Sequence, residues 1–270
     1  MDSRIPESVQ HVLNDYVSLC QQHLPETLEG LYVHGSVALG AYQEGSSDID
    51  FMAMVNRSLG DAEMQAITLI HQEVKQKQKI ELDGSYLLAK EAGRNWNDVS
   101  ECIYVNGGKA KRSKHEMNPV TWWMMKNKGI RVIGPDISSF HIEVQNSDLT
   151  SIVLRNMNIY WAGRINTLRK YKRIAVFLPN QLIRQEMLWS VPGVLRAFYT
   201  LQEQAVTSKA EVCTYALDHV PERWHPLIHE VISMREGEGT GFYKSKKQKI
   251  EDVLQLMVYI IAYCNETYKE

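Results

Sequence analysis

The chain has 270 residues, 23% of them charged and 44% hydrophobic, with a formal net charge of −2. That composition suits a globular protein of one large or two modest domains and provides no global basic field for nucleic acid. No apolar run approaches the roughly 18–20 residues that span a bilayer, and the N-terminal stretch lacks a signal-peptide core, so a cytoplasmic location without membrane attachment is expected. Four scattered cysteines, Cys20, Cys102, Cys213 and Cys264, form neither a CxxC pair nor a disulfide framework and read as idle thiols.

In chain order, residues 5–23 repeat apolar positions at helical spacing. LEGLYVHGS reads as a short strand ending in a turn, and SSDIDFMAMVN as the next strand. Residues 61–76 open with an acidic first turn and read as a helix. KIELDGSYLLAKE is a third strand, with Ile80, Leu82 and Gly84 on one face and Glu81, Asp83 and Ser85 on the other. Residues 91–117, with a Gly-Gly pair and a basic cluster, read as a loop. NPVTWWMMKNKG is a helix with Asn118 as N-cap, Pro119 at the first position and Gly129 as its stop. IRVIGPD is one more strand. Beyond about residue 147 strand signals fade, and amphipathic stretches at 148–173, 180–204, 208–218, 221–235 and 246–268 predict a helical bundle. The expected organisation is α+β: a mixed-sheet domain over 1–147 and an all-α domain over 148–270.

The segment HGSVALGAYQEGSSDIDF, residues 34–51, carries the chemistry. On a strand, Asp48 and Asp50 face the same side about 7 Å apart, with Ile49 turned to the core. Two such carboxylates are comfortable as anions with a cation between them. Mg²⁺ or Mn²⁺, held by one or two carboxylates plus substrate phosphates, fits that role. Gly35 lets a backbone N–H approach a phosphate, and Ser36 adds a hydroxyl. A third acid on a neighbouring strand commonly completes such a site, and the candidates are Glu81 and Asp83.

This segment resembles the GS…DxD signature of the nucleotidyltransferase superfamily, the polymerase-β-like fold. The resemblance implies metal held by Asp48, Asp50 and Asp83, with two Mg²⁺ ions expected. It also implies ATP as co-substrate, bound with help from Gly35, Ser36 and Ser47. LDGSY is similar to the strand that supplies the catalytic base in aminoglycoside adenylyltransferases. Asp83 takes that place here, an Asp for the family's Glu, and Glu81 is the alternative.

Other stretches resemble the streptomycin/spectinomycin members of that group. WWMMKNKGIRVIGP is similar to the segment carrying an acceptor-binding tryptophan, and its spacing to Pro135 selects Trp123. VLRAFYTL and VTSKAEV match the helices whose basic residues reach the triphosphate, which selects Arg196 and Lys209. Glu186 falls where the family places an acid that binds a cationic acceptor. Two departures lie beside it. Trp189 stands where some members have histidine, and Pro192 lies inside the helical pattern, where a kink or restart is expected.

The resemblance implies adenylyl transfer to a hydroxyl of an aminoglycoside or aminocyclitol by a monomer or weak homodimer. The alternatives are the same chemistry on a lincosamide, a metabolite or a protein side chain, or a non-catalytic nucleotide-binding protein. Balanced charge disfavours a nucleic-acid substrate. One asymmetry is unassigned. Between Asp148 and Glu186 there is no acid, while Arg155, Arg164, Arg169, Lys170, Lys172, Arg173 and Arg184 all occur.

Overall fold

The structure, a computed structural model, describes residues 2–114, 117–174, 177–237, 241–243 and 245–268. It divides into two compact units, Met1–Val144 and Gln145–Glu270.

The first unit is built on a six-stranded sheet of order β5-β4-β3-β2-β1-β6. Its strands are β1 (Leu28–Val33), β2 (Ile49–Val55), β3 (Leu82–Leu88), β4 (Cys102–Asn106), β5 (Lys109–Ser113) and β6 (Ile130–Ile133). Among the described residues, β2 and β3 pair in parallel and the other pairs are antiparallel. Helices α1 (Glu7–His23), α3 (Asp61–Gln78) and α4 (Pro119–Asn127) accompany the sheet, and α2 (Gly35–Ala38) is a single turn after β1.

Both faces of the sheet are covered, which explains why IDFMAMV reads as a nearly unbroken apolar run. Ile49, Phe51, Ala53 and Val55 pack with Val9, Leu13 and Tyr16 of α1 and Ile67, Ile70 and Val74 of α3. The alternate residues Met52 and Met54 pack with Tyr32, Trp122 and Met125 on the other face. Asn118 caps α4 as its residue type predicts, its side chain accepting from the N–H of Val120 at 3.0 Å and of Thr121 at 3.2 Å.

The segment 91–117 departs from the expected loop. It contains the β4–β5 hairpin, closed by the two-residue turn Gly107-Gly108 with φ of 58° and 74°. Glycine supplies those positive φ values without strain. The alternation was concealed because β5, KAKRS, is polar on both faces and largely exposed. His115 and Glu116 of that segment lie outside the described residues.

The second unit is helical: α5 (Asn146–Asn156), a π-helical turn (Met157–Trp161), α6 (Ala162–Lys172), α7 (Asn180–Glu203), α8 (Lys209–His219), α9 (His225–Arg235) and α10 (Lys246–Thr267). Contrary to the expected restart at Pro192, α7 runs unbroken across it. Val191, Pro192, Val194 and Leu195 are all buried, so tertiary packing holds the helix through the lost hydrogen bond. All four cysteines are buried. Burial pushes the thiols of Cys20, Cys213 and Cys264 up to about 12, which keeps them protonated and unreactive.

Candidate active site

Strand β1 delivers the chain into the Gly35 turn, and the His34 N–H donates to the Asp50 carbonyl at 3.0 Å. Gly35 has φ of +60°, and a β-carbon there would stand 1.7 Å from Asp50 Oδ2. No other residue fits between this turn and the carboxylate. The Ser36 Oγ is shielded from solvent and has no hydrogen-bond partner. An unsatisfied buried hydroxyl is costly unless a ligand completes it. Ser47 instead accepts from the Gln43 N–H at 3.0 Å, which closes the loop that returns to β2.

Asp50 is the second residue of β2 and Asp83 the second of β3, and the parallel register sets them side by side. Both share the sheet face of Met52 and Met54, the face that α4 covers with Trp122. Asp48 lies just before β2 and is exposed. Of the two tryptophans on α4, Trp122 is core and Trp123 is partly exposed.

Asp83 is only 8% exposed. Its Oδ1 accepts from the Gly107 N–H at 2.9 Å and its Oδ2 from the Asn106 side chain at 3.0 Å. The tip of the β4–β5 hairpin therefore aims this carboxylate. Burial raises its pKa to about 6; the Gly107 N–H opposes the rise, and the charges of Asp48, Glu81 and Asp50 add to it. Glu81 lies outside β3 and is ion-paired with Lys75.

Asn106 and Gly107 escape a reading of the sequence, since they reach Asp83 from 23 and 24 residues away. The only local sign of them is the Asn-Gly-Gly turn signal.

The carboxylates are compatible with a divalent ion. Burial is the main cause of the Asp83 rise, and the smaller part that comes from the charges of Asp48, Glu81 and Asp50 is an imbalance that a cation relieves. Among the described residues no three His, Cys, Asp or Glu side chains form a ready-made metal cage. Mg²⁺ does not require one, because it takes one or two carboxylates and completes its shell with water and phosphate oxygens.

In the helical unit, Arg196 on α7 donates from Nε to the Thr207 carbonyl at 2.9 Å. Two residues later Lys209 opens α8, behind a capping box made by Ser208 and Glu211. The Lys209 ammonium lies 5.1 Å from the centre of the Trp189 ring. Arg196, Lys209 and Trp189 thus occupy one neighbourhood. Glu186 is differently placed from a carboxylate waiting for an amine. Arg164 of α6 holds it with two parallel N–H donors, Nε to Oε1 at 3.1 Å and Nη2 to Oε2, and Ser190 donates to Oε1.

A sheet with paired carboxylates on adjacent parallel strands, beside a glycine-serine turn, is the arrangement expected of a nucleotidyltransferase domain. Residues 17–105 match the family model of the nucleotidyltransferase domain. Residues 179–259 match that of the aminoglycoside adenylyltransferase C-terminal domain, so the chain is a nucleotidyltransferase resembling the aminoglycoside adenylyltransferases.

Its fold is similar to that of the spectinomycin adenyltransferase AAD(9) from Enterococcus faecialis, solved with ATP and spectinomycin. That match has a TM-score of 0.65 at 14% identity and covers 92% of this chain and 99% of that one. Two solved toxin–antitoxin structures match about half of the chain. One, with AMP-PNP, has 18% identity, 47% and 79% coverage and a TM-score of 0.30. The other is the tri-AMPylated Shewanella oneidensis HEPN toxin with MNT antitoxin, at 16%, 49%, 79% and 0.29. No curated protein matches the sequence.

Proposed function

We propose that this protein transfers AMP from ATP to a hydroxyl of a small acceptor, of the aminoglycoside or aminocyclitol kind represented by streptomycin and spectinomycin. The observation that carries the reading is the in-register pair Asp50 and Asp83 beside the glycine-held Ser36 turn. Asp48 and Asp50, with Asp83, hold Mg²⁺, which when bound supplies positive charge to the phosphoryl oxygens. Gly35, Ser36 and Ser47 orient the triphosphate, and Arg196 and Lys209 meet its remaining charge. Asp83 takes the proton from the acceptor hydroxyl as that oxygen attacks the α-phosphorus and pyrophosphate leaves. Trp123 offers the acceptor an aromatic face.

The same transfer to a different acceptor, such as a lincosamide, is the second reading. The ion pair of Glu186 with Arg164 favours it, since the acid expected to receive a cationic acceptor is already engaged.

Pyrophosphate release with Mg²⁺, ATP and each of streptomycin, spectinomycin and a lincosamide tests both readings. Release with one acceptor, lost in Asp48→Asn and Asp50→Asn, is expected. Silence with all three while ATP still binds through both aspartates would remove the antibiotic acceptor and retain the nucleotide site.

A further inference from the structure

We propose, resting on the adenylyl-transfer reading, that Asn106 is a positioning residue for Asp83. With the Gly107 N–H it forms a clamp on both oxygens of that carboxylate, and the clamp fits an aspartate and not a glutamate.

Four strands bring the parts together. Asp50 and Asp83 face each other across β2 and β3. Gly84 pairs with Val105 and Ser85 with Tyr104, so the next position along sets Asp83 opposite Asn106. Asn106 in turn pairs with Lys109 across the hairpin turn. The two acids and the amide thus lie on one row of the sheet, where neighbouring strands are about 4.8 Å apart and short side chains reach one another directly. Asn106 Nδ2 donates to Asp83 Oδ2 at 3.0 Å, and the Gly107 N–H donates to Oδ1 at 2.9 Å. Each carboxylate oxygen has two lone pairs. The clamp takes one on each oxygen and leaves the other for the proton of an acceptor hydroxyl.

The parts that carry the clamp are themselves held. At Gly84 a β-carbon would stand 2.0 Å from the Phe51 carbonyl oxygen, so β3 lies hard against β2 beside Asp83. On the other side Arg112 of β5 donates from Nη1 to the Leu59 carbonyl at 3.1 Å and from Nη2 to Asp61 at 3.0 Å. Those bonds tie the edge strand to the start of α3. The turn between β4 and β5 has two residues, both with positive φ, which is a tight hairpin connection. The last torsion of an aspartate is broad on its own. Two donors on different oxygens, delivered by an anchored hairpin, set the plane of the carboxylate. A glutamate at this position would carry its carboxyl about 1.5 Å further, past both donors.

The test has two arms. The first is hydrogen exchange of the Gly107 amide in the metal-free, full-length protein. Gly107 is exposed, so its protection comes from Asp83, and exchange should be at least about tenfold faster in Asp83→Ala and in Asp83→Glu. Unchanged exchange in Asp83→Ala would overturn the clamp, and unchanged exchange in Asp83→Glu would overturn its fit to an aspartate. The second arm is pyrophosphate release with Mg²⁺, ATP and streptomycin, spectinomycin or a lincosamide. Asn106→Ala and Asn106→Leu should each lower kcat about 100-fold and leave KM for ATP unchanged, because a misaimed group costs the chemical step and not nucleotide binding. Wild-type kcat in both variants, or a loss carried by KM for ATP, would overturn the positioning role. Silence of the wild-type protein with every acceptor would overturn the adenylyl-transfer reading, with the exchange arm still deciding whether the hairpin holds Asp83.

Discussion

Asp83 is a buried carboxyl whose ionisation costs the fold stability. Burial, then neighbouring acids, raise its pKa to about 6, above the ordinary carboxylate value. The native state therefore holds its proton more tightly than the unfolded chain, and the stability this brings is present at low pH. It is lost as pH rises through about 6, when the buried carboxylate must ionise. Asp83→Asn should abolish transfer yet raise the melting temperature of the metal-free protein at pH 8, with little gain at pH 4. Thermal unfolding in chelator at the two pH values checks this, and a lower melting temperature at pH 8 would refute it. Part of this arrangement is legible from residue types. The period of two puts Asp83 opposite Ile80 and Leu82, and the spacing of Gly35, Ser36, Asp48 and Asp50 is local. Arg164 reaching Glu186 across 22 residues is not legible, because nothing near either residue encodes the partner.

At the scale of elements, β3 ties the site to a buried polar chain. Tyr86, three residues beyond Asp83, receives a hydrogen bond from Tyr16 of α1 at 2.6 Å and meets His71 of α3 at 2.9 Å. Burial pushes His71 down to about 4, so it is neutral in the native core. Its contribution to stability is complete above the ordinary histidine value near 6.5. That contribution falls as pH drops toward about 4, by at most about 3 kcal/mol. Denaturant titrations between pH 7 and pH 4 should show this loss in wild type and a flatter profile in His71→Gln. Equal slopes would mean that His71 does not report the core. The helices that carry Tyr16 and His71 are plain in the sequence through apolar spacing. β5 was concealed, since a polar edge strand shows no hydrophobic alternation, and β4 beside it is a short buried run, CIYVN, with no alternation to mark it. The π-helical turn at Met157–Trp161 had no signal either, because one extra residue in a turn leaves helical apolar spacing nearly intact.

The molecule as a whole comprises two compact units, a sheet covered on both faces and a helical bundle. The change from strand-like to helical patterning after residue 147 is visible in the sequence, because it rests on local period alone. Nucleotide binding supplies a molecule-wide readout. A ligand present at 100 times its dissociation constant adds about 2.7 kcal/mol to the native state. ATP with Mg²⁺ should therefore raise the melting temperature of wild type by several degrees and leave Asp48→Asn/Asp50→Asn unmoved. A full shift in that double variant would place the nucleotide elsewhere.

The parallel register of β2 and β3 has a consequence for the order in which the chain matures. Asp50 and Asp83 meet only after the crossover through α3 has closed, and the groups that aim Asp83 arrive later still, at Asn106 and Gly107. A growing polypeptide shorter than the β4–β5 hairpin thus carries the acids without their orientation. Assembly of this carboxylate pair is a late event of synthesis, following the slow, non-local pairing on which the sheet depends.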